Sequence, residues 1–106
     1  MIEIVETSVF TRLVLGLLPD DEYRKLQVAL ANKPNLGAVI PRSGGIRKVR
    51  WSLPGRGKRG GTRVIYYWAR AKETLLMLYI YAKGEQDDLS PQQVRELRMV
   101  VEEEFG

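Results

Sequence analysis

The twenty residues from Gly44 to Arg63 carry Arg47, Lys48, Arg50, Arg56, Lys58, Arg59 and Arg63 among six glycines, with no acid between them. Such a segment is suited to holding phosphate. A guanidinium grips two oxygens at once and stays charged, and glycines let a backbone come close to a phosphate chain. Read as a strand, residues 46–53 place Lys48 and Arg50 on one face and Arg47, Val49 and Trp51 on the other. Cations two residues apart on one face repel each other, and either a bound phosphate or open solvent relieves them. Gly55-Arg56-Gly57-Lys58-Arg59-Gly60 spells G-x-G-x-x-G, but a dinucleotide fingerprint must leave a strand and open a helix. Here Thr62-Arg63-Val64-Ile65-Tyr66-Tyr67 resumes a strand, so the segment reads as a basic hairpin loop, either for phosphate or simply as a turn.

Tyr66, Tyr67, Trp68, Tyr79 and Tyr81 follow on two strand-like runs behind that loop. Aromatics can stack on unpaired bases or fill a core. Tyr66 and Tyr67 join Arg47, Arg56, Lys58 and Arg59 as the residues expected to contact RNA. The chain has no histidine and no cysteine, which removes the commonest general base, the commonest zinc ligand and every thiol nucleophile. Asp87-Asp88 near Glu85 lacks a third spaced acidic ligand, and carboxylates before a helix start are favourable in any case. No metal or cofactor is expected.

The elements that must position these residues are legible from periodicity. Ile2 to Val5 reads as a short strand, and Phe10, Leu13, Val14 and Leu17 fall at helical spacing. Pro19-Asp20-Asp21-Glu22 starts a second helix that Asn32-Lys33-Pro34 stops. Strands are expected over Ile46–Leu53, Thr62–Arg70 and Leu75–Ala82, the last two joined by a hairpin at Ala71-Lys72-Glu73. Ser90-Pro91-Gln92-Gln93 carries a cap, a proline at the first helical position and a capping box for a final helix. The order strand, two helices, three strands, helix predicts an α+β fold: a small antiparallel, partly mixed sheet with two N-terminal helices and one C-terminal helix.

At 106 residues with 44% apolar side chains the chain is expected to form one domain over 1–106. No apolar run reaches the roughly 20 residues a bilayer requires, and the N-terminus lacks the pattern of a signal peptide. A cytoplasmic protein without a membrane partner is expected. The net charge is +4, but its distribution says more. Arg42 to Lys72 holds only cations, whereas Glu85, Asp87, Asp88, Glu96, Glu102, Glu103 and Glu104 face only Arg95 and Arg98 in the last stretch. A positive middle is the footprint of a polyanion binder, or a solvated surface.

Three stretches together resemble the RelE superfamily of bacterial toxins, and most closely its HigB branch: Gly45-Ile46-Arg47-Lys48-Val49-Arg50, Gly57-Lys58-Arg59-Gly60-Gly61-Thr62-Arg63-Val64-Ile65-Tyr66-Tyr67, and Ile80-Tyr81-Ala82-Lys83-Gly84-Glu85. The resemblance extends through Lys83 to Glu104 and, upstream, through Asp21-Glu22-Tyr23 and Asn32 to Gly37. It implies the toxin of a type II toxin–antitoxin pair, held inactive by a cognate antitoxin. When free, such a toxin enters the ribosomal A site and cuts mRNA there, by attack of a ribose 2′-hydroxyl on the adjacent phosphorus and without a metal. It assigns Arg63 to the phosphate, Lys48 and Arg50 to the pair of basic strand residues lining the site, and Lys83 to a further cation. Fixed cations stabilise the charge that builds on the nonbridging oxygens. A lysine crowded by cations gives up its proton more readily than an isolated one, so Lys48 or Lys83 could serve as base or acid, with Glu85 a further candidate. Two alternatives stand beside it. A gyrase poison of the ParE branch shares the fold but has no need of phosphate-gripping cations at these positions. The cationic strand and glycine-rich loop would serve a non-catalytic RNA-binding protein equally well.

Overall fold

The computed structural model describes residues 1–53 and 61–106. Strand β1 (Glu3–Glu6) leads into helices α1 (Ser8–Leu17) and α2 (Asp20–Asn32). Strands β2 (Ala38–Val39), β3 (Arg47–Trp51), β4 (Thr62–Ala69) and β5 (Thr74–Ala82) follow, a single 3-10 turn at Arg70–Lys72 joins β4 to β5, and helix α3 (Pro91–Phe105) closes the chain. The sheet order is β1-β5-β4-β3-β2. The β2/β3, β3/β4 and β4/β5 pairs are antiparallel, and β1 lies parallel to β5. The α+β architecture is the one expected, with the mixed character supplied by β1. The two-residue β2 was not foreseen; its residues are exposed and carry no alternation to read.

β4 is the central strand, and its two faces build two cores. Val64 and Tyr66 face Phe10, Val14 and Leu18 of the α1 segment and Leu26 and Leu30 of α2, with Val49, Leu75, Met77 and Ile80 from the neighbouring strands. On the other face Ile65 joins Ile46, Leu76, Leu78 and Tyr81, covered by Val101, Leu97 and Phe105 of α3. Burying both faces explains why β4 and β5 read as near-continuous apolar runs instead of alternating ones.

Local chemistry fixes the ends of these elements. Ser90 and Gln93 form the full capping box at the start of α3, with Pro91 in the first turn. At the start of α2, Glu22 is buried, where it accepts hydrogen bonds from Trp51 Nε1 on β3 at 3.2 Å and from Lys25 Nζ at 3.1 Å. The Tyr23 hydroxyl donates to Glu6. Burial, reinforced by that hydrogen bond and the Glu6 charge, pushes the Tyr23 pKa well above the ordinary phenol value.

The β4/β5 ladder contains one irregularity. Ile65 pairs with Tyr79 but the next residue, Tyr66, pairs with Met77, so Leu78 is the extra residue of a β-bulge. Thr7 services that bulge: its hydroxyl donates to the Leu78 carbonyl at 2.9 Å and its backbone N–H to the Met77 carbonyl at 3.0 Å. The same hydroxyl oxygen caps α1 by accepting from Phe10 N at 3.1 Å. Thr7→Ala removes both the cap and the partner of the bulge carbonyl. It is expected to lower unfolding free energy by about 2 kcal/mol in a urea titration.

Candidate phosphate-binding face

The bulge decides which side chains meet. Before it, Leu75 and Met77 of β5 face α1 and α2; after it, Tyr79 and Tyr81 face the α3 side. β3 and β4 deliver Lys48, Arg50 and Arg63 to that same side, because Lys48 pairs with Ile65 and Arg50 with Arg63 across the β3/β4 ladder. Arg63 in turn pairs with Tyr81 across β4/β5. Arg50, Arg63 and Tyr81 therefore form one row across three strands, with Cβ atoms of neighbours about 4.5–5.5 Å apart. Lys83 lies one row further along: its backbone N–H bonds to the Gly61 carbonyl at 3.2 Å, so the strand alternation that orients Tyr79 and Tyr81 runs on to it. Arg50 and Lys83 are exposed.

Arg63 is the unusual member of the row, only 6% exposed although charged. Among the described residues no carboxylate lies within salt-bridge distance of it, and residues 54–60 contain no acid. Its side chain runs back over Gly61: a Cβ built there would lie 3.2 Å from Arg63 Nη1. The glycine thus provides the space in which the guanidinium rests. Lys48 is partly buried and pairs with Asp88 at 3.1 Å. The Asp88 carboxylate also accepts from Leu89 N at 2.9 Å. The Leu89 N–H holds the Asp88 pKa below the usual carboxylate range, helped by the Lys48 hydrogen bond and charge and by the Arg63 charge. The pair therefore survives mild acid and opens only when the pH falls below that depressed value. Asp88, weighed in the sequence as a weak metal ligand, is engaged instead with a lysine. Glu85 is exposed and its Oε1 folds back on the Ala82 backbone N–H at 3.4 Å.

Lys48, Arg50, Arg63 and Lys83 thus share one face, and of the other expected RNA contacts Arg47, Tyr66 and Tyr67 do not gather with them. Arg47 points the opposite way, as its strand parity requires, and donates to the carbonyls of Gly37 at 2.7 Å and Asn35 at 3.4 Å. Tyr66 is fully buried on the α1/α2 side; it accepts from Gly37 N at 2.9 Å and donates to the Pro34 carbonyl at 2.7 Å. A Cβ at Gly37 would sit 2.9 Å from the Lys48 carbonyl oxygen and 3.0 Å from the Tyr66 ring, so only glycine fits. Arg47 and Tyr66 accordingly clamp the Pro34–Gly37 loop to the sheet instead of presenting themselves to a base. Tyr67 is on the α3 side but stacks against Phe105, ring centroids 5.7 Å apart, at the far end of β4. Arg56, Lys58 and Arg59 lie outside the described residues.

Two side chains of this face were not named as site residues from the sequence, Tyr81 and Asp88. The signal for Tyr81 was masked, since simple alternation from Leu75 would send it to the opposite core. Asp88 gives no sequence signal beyond its charge.

Residues 24–105 match the sequence model of one protein family, described as the RelE toxin of the RelE / RelB toxin–antitoxin system. Two solved structures are similar in fold. One is a double arginine-to-alanine mutant of the E. coli toxin RelE in the free state, at 12% identity and a TM-score of 0.61, covering 94% of this chain and 96% of that one. The other is a chain of the intact E. coli RelBE toxin–antitoxin complex, at 14% identity and a TM-score of 0.56, covering 77% of this chain and 96% of that one.

Two substitutions separate the clamp from the row of cations. Tyr66→Phe is expected to cost about 2 kcal/mol of stability by orphaning the Gly37 N–H, while the folded protein keeps its affinity for phosphate. Gly61→Ala pushes the Arg63 guanidinium by a few tenths of an ångström. It should leave the melting curve unchanged while weakening RNA binding, measured by titration, about three- to tenfold.

Proposed function

The chain belongs to the RelE toxin family, and from that premise we propose that it is the toxin of a type II toxin–antitoxin pair that cleaves mRNA on the ribosome. The observation that carries the reading is Arg63. A guanidinium taken out of water without a carboxylate beside it is costly, and a phosphodiester brings the missing charge. Arg50 beside it, and Lys48 and Lys83 one row away in opposite directions, add positive potential along a single face. That arrangement suits a backbone phosphate more than a base edge.

The reaction consistent with this face is transesterification within the RNA. The ribose 2′-oxygen loses its proton and attacks the adjacent phosphorus, and the P–O5′ bond breaks as the new P–O2′ bond forms. The products are a 2′,3′-cyclic phosphate and a 5′-hydroxyl that takes up one proton. Arg63 and Arg50 stabilise charge on the nonbridging oxygens. Lys83, exposed and otherwise unengaged among the described residues, is the better placed of the two lysines to move a proton; Lys48 must first release Asp88. Glu85 is the weaker candidate, with its carboxylate turned to a backbone N–H. The partners of this reading are the ribosome with mRNA in its A site and a cognate antitoxin, whose acidic groups would complement the basic face. The finer placement in the HigB branch rests on the sequence resemblance alone.

The test is inducible expression in bacteria of the wild type beside Arg63→Ala, with 5′ ends mapped on a translated and an untranslatable reporter mRNA. Growth arrest with cuts confined to the translated message, absent in the variant, is the expected result. Arrest with intact mRNA and DNA damage would instead identify a gyrase poison. In vitro, Arg63→Lys should lower the single-turnover rate about 10²-fold with binding changed only a few-fold, because the bidentate contact is lost while the charge remains. A wild type that cleaves nothing, with only a modest loss of affinity in Arg63→Lys, would mark a pure RNA binder.

A further inference from the structure

The Tyr81 hydroxyl is buried and has no hydrogen-bond partner, the only such side-chain atom among the described residues. Tyr81 is 3% exposed. Its ring has ordinary company, since Tyr79 lies beside it with centroids 5.8 Å apart and the α3-side core surrounds it. The oxygen alone is unaccounted for. Buried phenols nearly always find a partner, and leaving one unpaired costs stability that phenylalanine at the same position would not. Its neighbour across the β4/β5 ladder is Arg63, a buried cation likewise without an anionic partner. Two adjacent donors, both withdrawn from water, one with no acceptor and the other with no carboxylate within salt-bridge distance among the described residues, fit one ligand that brings oxygens to each.

We propose that Tyr81 is a second phosphate-binding residue of this site, its hydroxyl donating to a nonbridging oxygen of the phosphodiester that Arg63 holds. The inference rests on the phosphate reading of the Arg63 face and adds to it a neutral donor. Tyr81 acts as a donor and not as a base, because burial, with the Asp88 charge, raises its pKa above the ordinary phenol value against a smaller opposing effect of Arg63. A neutral donor beside a cation distinguishes two oxygens of the same phosphate, which fixes its orientation for in-line attack. The hydroxyl is closed to solvent in the free protein. The Asp88 carboxylate, paired with Lys48, is the anion whose charge reaches it, so an incoming phosphate competes with Asp88 for this corner.

The experiment compares the full chain as wild type, Tyr81→Phe, Tyr66→Phe and Arg63→Ala. Tyr81→Phe is expected to melt at or above the wild-type Tm, because an orphaned polar atom has been removed, whereas Tyr66→Phe melts below it. On the ribosome Tyr81→Phe should lower the single-turnover cleavage rate about 10²-fold while RNA affinity changes less than threefold. Inorganic phosphate supplies a probe that needs neither ribosome nor cleavage. It should raise the Tm of the wild type more than that of Tyr81→Phe, whose shift should fall toward that of Arg63→Ala. A lowered Tm for Tyr81→Phe would show that the hydroxyl has a structural partner and would overturn the proposal. So would a wild-type rate together with a wild-type phosphate shift. A wild type that cleaves no RNA yet shows the phosphate difference would sink the nuclease reading and leave the Tyr81 assignment supported.

Discussion

Arg63 is a charge largely withdrawn from water, with no acid within salt-bridge distance among the described residues. Asp88 reaches it only by longer-range attraction, and burying a charge without a close partner costs on the order of several kcal/mol. The fold sustains it by placing the residue on the one strand whose neighbours are best secured. Val64, Ile65 and Tyr66 follow it in sequence with no exposed surface, and β4 is hydrogen-bonded along both edges by β3 and β5. Helices α1 and α2 seal one side of that strand and α3 the other. A site on a loop could shift to hydrate its guanidinium. On this strand the side chain is confined, and under the phosphate reading its free energy is recovered when an anion arrives. The stability of the two cores and the affinity of the basic face are therefore opposed quantities held in one element.

The same strand pair divides its polar residues between holding the chain and meeting a ligand. Arg47 and Lys48 are adjacent in sequence and opposite in duty. Arg47 turns to the carbonyls of the Pro34–Gly37 loop, while Lys48 turns to the side where α3 begins. Tyr66 and Tyr81 form a second such pair. Both are buried phenols on neighbouring strands, but Tyr66 has a donor and an acceptor within 2.9 Å, and Tyr81 has neither. Chemical type does not separate these residues; the accounting of hydrogen-bond partners does.

Much of this was legible in the residue order. Periodicity and capping chemistry located all three helices and four of the five strands, and Ser90 with Gln93 forms the box that their spacing announced. Strand parity correctly set Lys48 and Arg50 against Arg47. What remained hidden depended on partners distant in sequence. Arg47 and Tyr66 are drawn to a loop roughly ten and thirty residues away, and no local pattern reports that their polar groups are already satisfied. β2 is two exposed residues whose only structural statement is a pairing with β3. Tyr81 was concealed for a different reason, since its face depends on an irregularity in the ladder and not on its own position.

That irregularity makes the geometry of the basic face a matter of length as much as of composition. Leu78 acts as a half-period phase shift in β5: everything C-terminal to it is inverted relative to everything before it. Removing that one residue would leave every cation in the polypeptide and keep the apolar content nearly constant. It would also rotate Tyr81 and Lys83 to the side facing α1 and α2, out of reach of Arg63. Insertions or deletions near position 78 are thus functionally more severe than many substitutions at the face itself. Two chains with identical basic residues but different spacing across this segment would not present the same surface.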